Sequence, residues 1–396
     1  DPSIRIYSHD FRRTIEADNL ADGEYRAWVV VTDEAEQSRG EAVTLTQLVG
    51  ENRLVYRGEV PASENGPPGG ADVWGQDEIV VLAGLHSGES FVVVDATDPA
   101  APEVLTRVSG EGFVKDIKIG DGLMFTNGEC GCSLDSDEWD AYDKIGARIF
   151  DFADPANPVL LGTIGEPSPS VHNLSYGEGV LYLTDNMTRS VAAWDISDPT
   201  SPAFLWYWAP PDGGFGGVGN VHDQAWVDGK LYVAFWTGFA VIDVSDPANP
   251  VDLVVHHYEP EPACHNVWPS EDGTHVFTTD EKIGGYLRIW DISDPEDVQQ
   301  VANFVTDMEH SVHNVHIRGN FAFVSYYVDG VIVLDVSNPA EPVEVGRYDT
   351  LEEESGQDTG DSGEGWPFSS AYDGVWGVWP YGPHLAVGDI CGYVAG

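Results

Sequence analysis

Residues Ser311 to Thr350 read SVHNVHIRGNFAFVSYYVDGVIVLDVSNPAEPVEVGRYDT. Four short apolar runs alternate with breaks rich in Gly, Asn and Asp, the pattern of a four-stranded antiparallel meander. VHNVHIRG is strand A, FAFVSYY strand B, VIVLDV strand C and PVEVGRYD strand D. The turn between C and D has a mechanical cause. Proline cannot donate to a ladder and pushes the residue before it out of helical conformations, while Asp or Asn side chains cap nearby backbone N–H groups.

Weaker copies of this unit recur along most of the chain. Their C–D turns are DATDPAAP at Asp95, DFADPANP at Asp151, DISDPTSP at Asp195, DVSDPANP at Asp243, DISDPEDV at Asp291 and DVSNPAEP at Asp335, spaced 56, 44, 48, 48 and 44 residues apart. That period suits one propeller blade. A seventh copy, VWGVWPYGPHLAVGDICGYVAG, supplies strands A to C and ends at Gly396 without a strand D. RLVYRGEV, Arg53 to Val60, has the shape of a strand D but no blade of its own. The expectation is an all-β, seven-bladed β-propeller of four-stranded antiparallel blades over residues 51–396, its ring closed by an N-terminal outer strand. Closure removes exposed sheet edges. Residues 1–50 stand apart, with strands expected at Gly23–Asp33 and Glu41–Gly50. They read as an N-terminal β extension or the remnant of a preceding domain, able to pair with a neighbouring copy in self-assembly.

Composition narrows the function classes. Of 396 residues, 67 are Asp or Glu and only 18 Lys or Arg, a net charge of −49. A field of that sign repels nucleic acid and anionic membranes, and its self-repulsion weakens the compact state unless salt screens it. The acidic residues spread over the whole chain, which reads as a halophile's surface rather than a patch for one basic partner. No run approaches the roughly 18 apolar residues of a membrane helix. A start at Asp1 suggests a processed or truncated product. Four cysteines are too few for a disulfide scaffold.

HNVWPSEDGTHVFTTDE (His265–Glu281), YLRIWDISDP (Tyr286–Pro295), SVHNVHIRGNFAFVSYY (Ser311–Tyr327) and WGVWP (Trp376–Pro380) together resemble the LVIVD repeat family of secreted and cell-surface β-propellers, over roughly residues 53–396. The resemblance implies an extracellular or surface-attached propeller with a protein or cell-surface partner. It implies no settled activity, and a fold alone supplies none.

Aligned A strands place His172, His222, His265 and His313 at one repeat position, each followed by Asn or Asp. If strand A lines the channel, four imidazoles meet near its mouth, a usual way to hold Zn, Cu or Fe, with Asp223, Asn266 and Asn314 as supporting partners. The competing reading is that each His-Asn pair only ties its strand to the adjacent blade by hydrogen bonds. Ala71-Asp72, Lys115-Asp116 and Trp376-Gly377 break the pattern in the remaining copies. Cys264, beside His265, together with Lys115 and the Glu309-His310 pair, are auxiliary candidates. Cys130, Cys132 and Cys391 follow B strands; Cys130-Gly131-Cys132 is too close for an easy mutual disulfide and invites a metal or a link to Cys391, set against buried or loop thiols of no function. Asp135, Asp137 and Asp140, in SLDSDEWDAYD, form a candidate Ca²⁺ cluster without the Gly and terminal Glu of an EF-hand loop, set against a plain solvated acidic run. LEEESGQDTGDSGEG, Leu351 to Gly365, reads as a loop insertion.

Two functions follow. The first is a secreted or cell-surface platform for binding, adhesion or assembly in a high-salt environment. The second is a metal-dependent oxidoreductase or hydrolase with a histidine-lined site at the channel mouth.

Overall fold

The computed structural model describes residues 23–32, 38–47, 54, 57–61, 70–84, 89–111, 113–130, 143–211, 220–259, 262–350, 370–390 and 393–395. β1 (Gly23–Thr32) and β2 (Ser38–Gln47) pair as an antiparallel hairpin. β3 (Glu59–Pro61) precedes the repeats.

Six blades follow, each an antiparallel sheet of four consecutive strands. The first is β4 (Val73–Gln76), β5 (Ile79–Ala83), β6 (Phe91–Asp95) and β7 (Glu103–Val108). The second is β8 (Ile117–Gly120), β9 (Leu123–Asn127), β10 (Ala147–Asp151) and β11 (Val159–Ile164). The third is β12 (Val171–Gly177), β13 (Val180–Asp185), β14 (Ser190–Asp195) and β15 (Ala203–Trp208). The fourth is β16 (Val221–Val227), β17 (Lys230–Phe235), β18 (Gly238–Asp243) and β19 (Val251–His257). The fifth is β20 (Cys264–Pro269), β21 (His275–Asp280), β22 (Leu287–Asp291) and β23 (Gln299–Phe304). The sixth is β24 (Val315–Arg318), β25 (Phe321–Ser325), β26 (Val331–Asp335) and β27 (Val343–Tyr348). Among the described residues the one helical element is a 3-10 turn at Ser370–Tyr372.

The expectation of a seven-bladed propeller is corrected here: six blades are found, each complete in itself, and the remaining four-stranded sheet is a composite of both ends of the described chain. It runs β28 (Val375–Tyr381), β29 (His384–Asp389), β30 (Tyr393–Ala395), then β3. The closing outer strand is N-terminal, as expected, but shorter: among the described residues Glu59, Val60 and Pro61 pair with β30. Leu54 belongs to the sixth blade instead, its N–H donating to Arg347 O at 3.1 Å and its side chain packing near Val331 and Val333.

Burial explains the strand compositions. B and C strands are sandwiched between neighbouring blades, so both faces are apolar, as in the wholly buried VLYLTD of β13. D strands face solvent: in β11 Val159, Leu160 and Thr163 are exposed, Leu161 and Gly162 half-buried, and Ile164 buried. Every C–D turn is an Asx turn in the sense its Asp-Pro signature implies. Asp95 Oδ1 accepts from Thr97 N at 2.9 Å and Asp98 Oδ1 from Ala100 N at 3.0 Å, and Asp195 and Asp198 repeat the pair. A register shift lies in each C–D pairing of the six blades, between Val93 and Val94 in the first and Val333 and Leu334 in the sixth. Such bulges add twist.

The A strands of successive sheets touch around a central channel, and β28 touches β4 to close the ring. At that seam Gly70 N donates to Asp389 O at 2.9 Å. A Cβ on Gly388 would fall 2.2 Å from Ala71 O, so only glycine admits this approach.

Candidate functional site at the channel mouth

Each A strand bulges where its His-Asn pair sits: between Val171 and Leu174, Val221 and Asp223, and Cys264 and Asn266. In the sixth blade His313 N bonds to Ser325 O, and Ser325 N bonds back to Asn314 O, both at 2.9 Å. An extra residue in one strand re-aims its side chain. Here it turns both members of the pair toward the channel, which lets one short strand contribute two tiers of polar groups.

The upper tier is a stack of rings from consecutive blades. Ring centroids lie 4.5 Å apart for His172 and His222, 4.1 Å for His222 and His265, 4.4 Å for His265 and His313, and 4.4 Å for His313 and Trp376. Burial, followed by the neighbouring imidazoles, holds His222 and His265 well below the usual histidine range. Burial likewise brings His313 down to about 3. These three rings are neutral at neutral pH. A carbonyl only accepts, so His222 Nδ1 donates to His265 O at 3.2 Å and His313 Nδ1 to Trp376 O at 2.7 Å. Both rings therefore tie one blade to the next, as the structural reading of the His-Asn pair anticipates. The same bonds leave Nε2 as a bare lone pair in each ring. His313 Nε2 is buried and has no partner among the described residues.

Two carboxylates reach this tier from the ends of B strands. Glu281 Oε2 stands 3.4 Å from His265 Nε2, and Tyr327 donates its hydroxyl to Glu281 Oε1 at 2.5 Å. Ligating atoms of His222, His265 and Glu281 all lie within 4.8 Å of one another. Burial raises the Glu281 carboxyl above the ordinary glutamate range, opposed by the Tyr327 bond. On the other side Glu129 sits between His172 Nδ1, at 3.0 Å, and Lys115 Nζ, at 2.9 Å. Burial would raise its carboxyl, but those two partners outweigh it and hold Glu129 well below the usual range.

The next tier is the Asp/Asn position. Asp116 Oδ2 accepts from Leu174 N at 2.6 Å, and Asn266 Oδ1 from Val315 N at 3.0 Å, each across to the following blade. Asn266 Nδ2 donates to Asp223 Oδ2 at 2.7 Å. Burial pushes the Asp223 carboxyl up to about 6. Below lies Lys118, its ammonium 2.6 Å from Asp72, in direct contact with Asp116 and 4.6 Å above the Trp74 ring. Burial alone would lower the Lys118 pKa, yet Asp116 and Asp72 raise it above the ordinary lysine value. Between the tiers is a cavity of about 30 Å³ lined by His172, His265, His313, Asp72, Asp116 and Asp223 among others, room on the scale of a single water or ion.

The sequence candidates sort as follows. His172, His222, His265 and His313 converge, but only His222 and His265 share a metal-sized space with a third ligand. His172 turns to Glu129. Asp223, Asn266 and Asn314 line the cavity, and Lys115 joins through Glu129. Cys264 does not join. Its thiol is free, buried and pushed up by burial and by Asp280, which keeps it protonated. Cys130 is disulfide-bonded. Glu309 is exposed, and His310 pairs with Asp329 at 2.9 Å. Asp135, Asp137, Asp140, Cys132 and Cys391, like Leu351–Gly365, lie outside the described residues. Sequence reasoning missed Glu129, Glu281, Tyr327 and Lys118. Glu129, Glu281 and Tyr327 each stand one or two residues beyond strand B, a position that aligning the B strands as well as the A strands would expose.

Residues 219–254 and 310–350, two stretches carrying His222 and His313, match the sequence profile of a known repeat. These are LVIVD repeats. No curated protein matches the chain. Among solved structures, the chain is similar to a functionally unknown protein from Desulfotomaculum acetoxidans, at 14% identity and TM-score 0.53, over 70% of this chain and 85% of that one. It is similar to the computationally designed Ika8 protein at 12% identity and TM-score 0.53, over 84% and 98%. A putative 6-phosphogluconolactonase from Bacteroides uniformis gives 12% identity and TM-score 0.55, over 69% and 84%. Likenesses this distant speak to the propeller fold alone. No helix among the described residues is long and apolar enough to cross a membrane.

Proposed function

We propose that this LVIVD-repeat propeller is a secreted or cell-surface binding platform of a high-salt environment, whose channel mouth holds a divalent transition metal through His222, His265 and Glu281. One observation carries the metal: three ligating atoms from two adjacent blades within 4.8 Å of one another. Two neutral imidazoles and a carboxylate suit Zn²⁺ or a neighbouring first-row ion. The Nδ1 bond of His222 fixes the tautomer that presents Nε2, and Tyr327 fixes Glu281. The net charge of −49 supports the high-salt setting, and the repeats support the extracellular one.

Three protein ligands leave a coordination position open, which favours the metal-dependent enzyme as a second reading. Beside the stack Glu129, held ionised between His172 and Lys115, would supply a fixed negative charge rather than a proton.

The test is metal content of protein purified without chelator, together with thermal unfolding on addition of Zn²⁺, Cu²⁺ or Ni²⁺. A ligand at a hundred times its Kd stabilises by about 2.7 kcal/mol. We expect such a rise for the native protein and none for Glu281→Gln or His265→Gln. Absence of bound metal together with unchanged unfolding overturns the reading.

A further inference from the structure

Strand A runs from the histidine tier through the Asp/Asn tier to a third position, occupied by Trp74, Lys118, Trp268, His316 and Trp379 in five of the sheets. Beyond it, at the opposite end of the channel, the A–B turns enclose a cavity of about 600 Å³. Its floor is formed by Trp268, His316 and Trp379, with Trp74 packed on Trp379 from the channel side. Trp74 and Trp379 have ring centroids 3.8 Å apart, Trp268 and His316 4.1 Å, and Trp379 and His316 5.1 Å. Tyr381 extends the wall, and Asp77 and Glu78, both exposed on the first A–B turn, stand at the rim.

The inner side of this cluster already hosts an ammonium, since Lys118 Nζ lies over Trp74 with Asp72 and Asp116 beside it. The outer side repeats the same ingredients without a lysine of its own: ring faces of Trp268 and Trp379, both only partly buried, and two carboxylates. The cation in the lining, Arg318, donates to Gly382 O at 3.2 Å and so braces the wall. Burial brings His316 down to about 3, so the floor carries no positive charge at neutral pH.

We propose that this cavity binds a small organic cation of the alkylammonium class, its nitrogen over Trp268 and Trp379 and its charge met by Asp77 and Glu78. The face of an aromatic ring attracts cations through its quadrupole, and an alkylated nitrogen is weakly hydrated enough to leave water for it. The two carboxylates and the net charge outweigh the one guanidinium in the lining, Arg318, and disfavour an anion. A neutral sugar could stack on the same rings, but it would not need the carboxylates as charges. The proposal uses none of the metal-binding side chains and stands apart from that reading.

The experiment compares choline with its uncharged isostere 3,3-dimethylbutan-1-ol by ligand-observed NMR and calorimetric titration of the full chain at constant KCl. Choline is expected to bind at least tenfold more tightly. Asp77→Asn with Glu78→Gln should weaken choline several-fold and leave the alcohol unchanged; both positions are exposed, and Asn accepts the positive φ of 54° at residue 77. Equal affinity for the two probes, no binding of choline, or indifference to the double substitution overturns the proposal.

Discussion

Tyr327 donates its hydroxyl to Glu281 Oε1 at 2.5 Å, leaving Oε2 3.4 Å from His265 Nε2. The tyrosine comes from the sixth blade and the glutamate from the fifth, so the carboxylate's orientation is set across a blade interface. Tyr327→Phe keeps the ring packed against His313 and Trp376 but frees Glu281 to turn. Loss of an outer hydrogen bond to a ligand costs roughly 10- to 100-fold in metal affinity. Competition with a chromophoric chelator is expected to show a Zn²⁺ affinity at least tenfold lower, with unfolding of the metal-free protein little changed.

Lys118, its side chain only 12% exposed, is a cation held by two buried carboxylates, Asp72 and Asp116. Lys118→Met leaves those charges uncompensated, and breaking a buried pair from one side costs about 3–5 kcal/mol. Urea denaturation should show a loss of that order. Adding Asp116→Asn to Lys118→Met should recover part of it, because one stranded charge is gone; no recovery would mean that Lys118 acts through packing on Trp74 alone.

His316 gives a dependence on pH with a definite sign. Its folded pKa is near 3 against 6.5 unfolded, with burial the main cause, Asp72 opposing it and Lys118 adding to it. Between those values the unfolded chain binds the extra proton, so the stability from a neutral His316 is complete above pH 6.5 and is lost as pH falls toward 3. His316→Phe keeps an aromatic ring against Trp268 and Trp379 and has nothing to protonate. The wild type is expected to lose stability relative to this variant on acidification through that window; parallel pH profiles would rule the effect out.

The charge of −49 predicts a salt requirement. Screening acts over about 10 Å at 0.1 M salt and about 3 Å at 1 M, so repulsion among dispersed surface carboxylates falls steeply between them. The midpoint of thermal unfolding should rise from 0.1 to 2 M KCl. A midpoint that stays flat or falls counts against a high-salt habitat.

Much of the fold was legible because its signals are local. Asp95 and Asp98 cap their own turn two residues on, so the Asp-Pro signature marks a strand end without knowledge of anything distant. Closure was harder. Leu54 and Val60 look alike within RLVYRGEV, yet one packs on the sixth blade while the other pairs with Val394 and packs on Val92 and Val94 of the first, a choice made by tertiary contacts and not by local signals. The site divides the same way. The histidines share a repeat position and could be aligned by eye, whereas Glu129 and Glu281 were hidden among 67 acidic residues. Only burial between an imidazole and a second partner distinguishes them from the solvated ones.

The sheet made of β28, β29, β30 and β3 ties the timing of folding to the order of synthesis. β3 is made before any blade, and its partner β30 lies more than 300 residues later. Six blades can form as they emerge, but the arc they make keeps two unpaired flanks until the last strands arrive. Whatever holds β3 back from other sheet edges in that interval, whether a chaperone or the like-charge repulsion of the nascent chain, guards the assembly of the whole molecule.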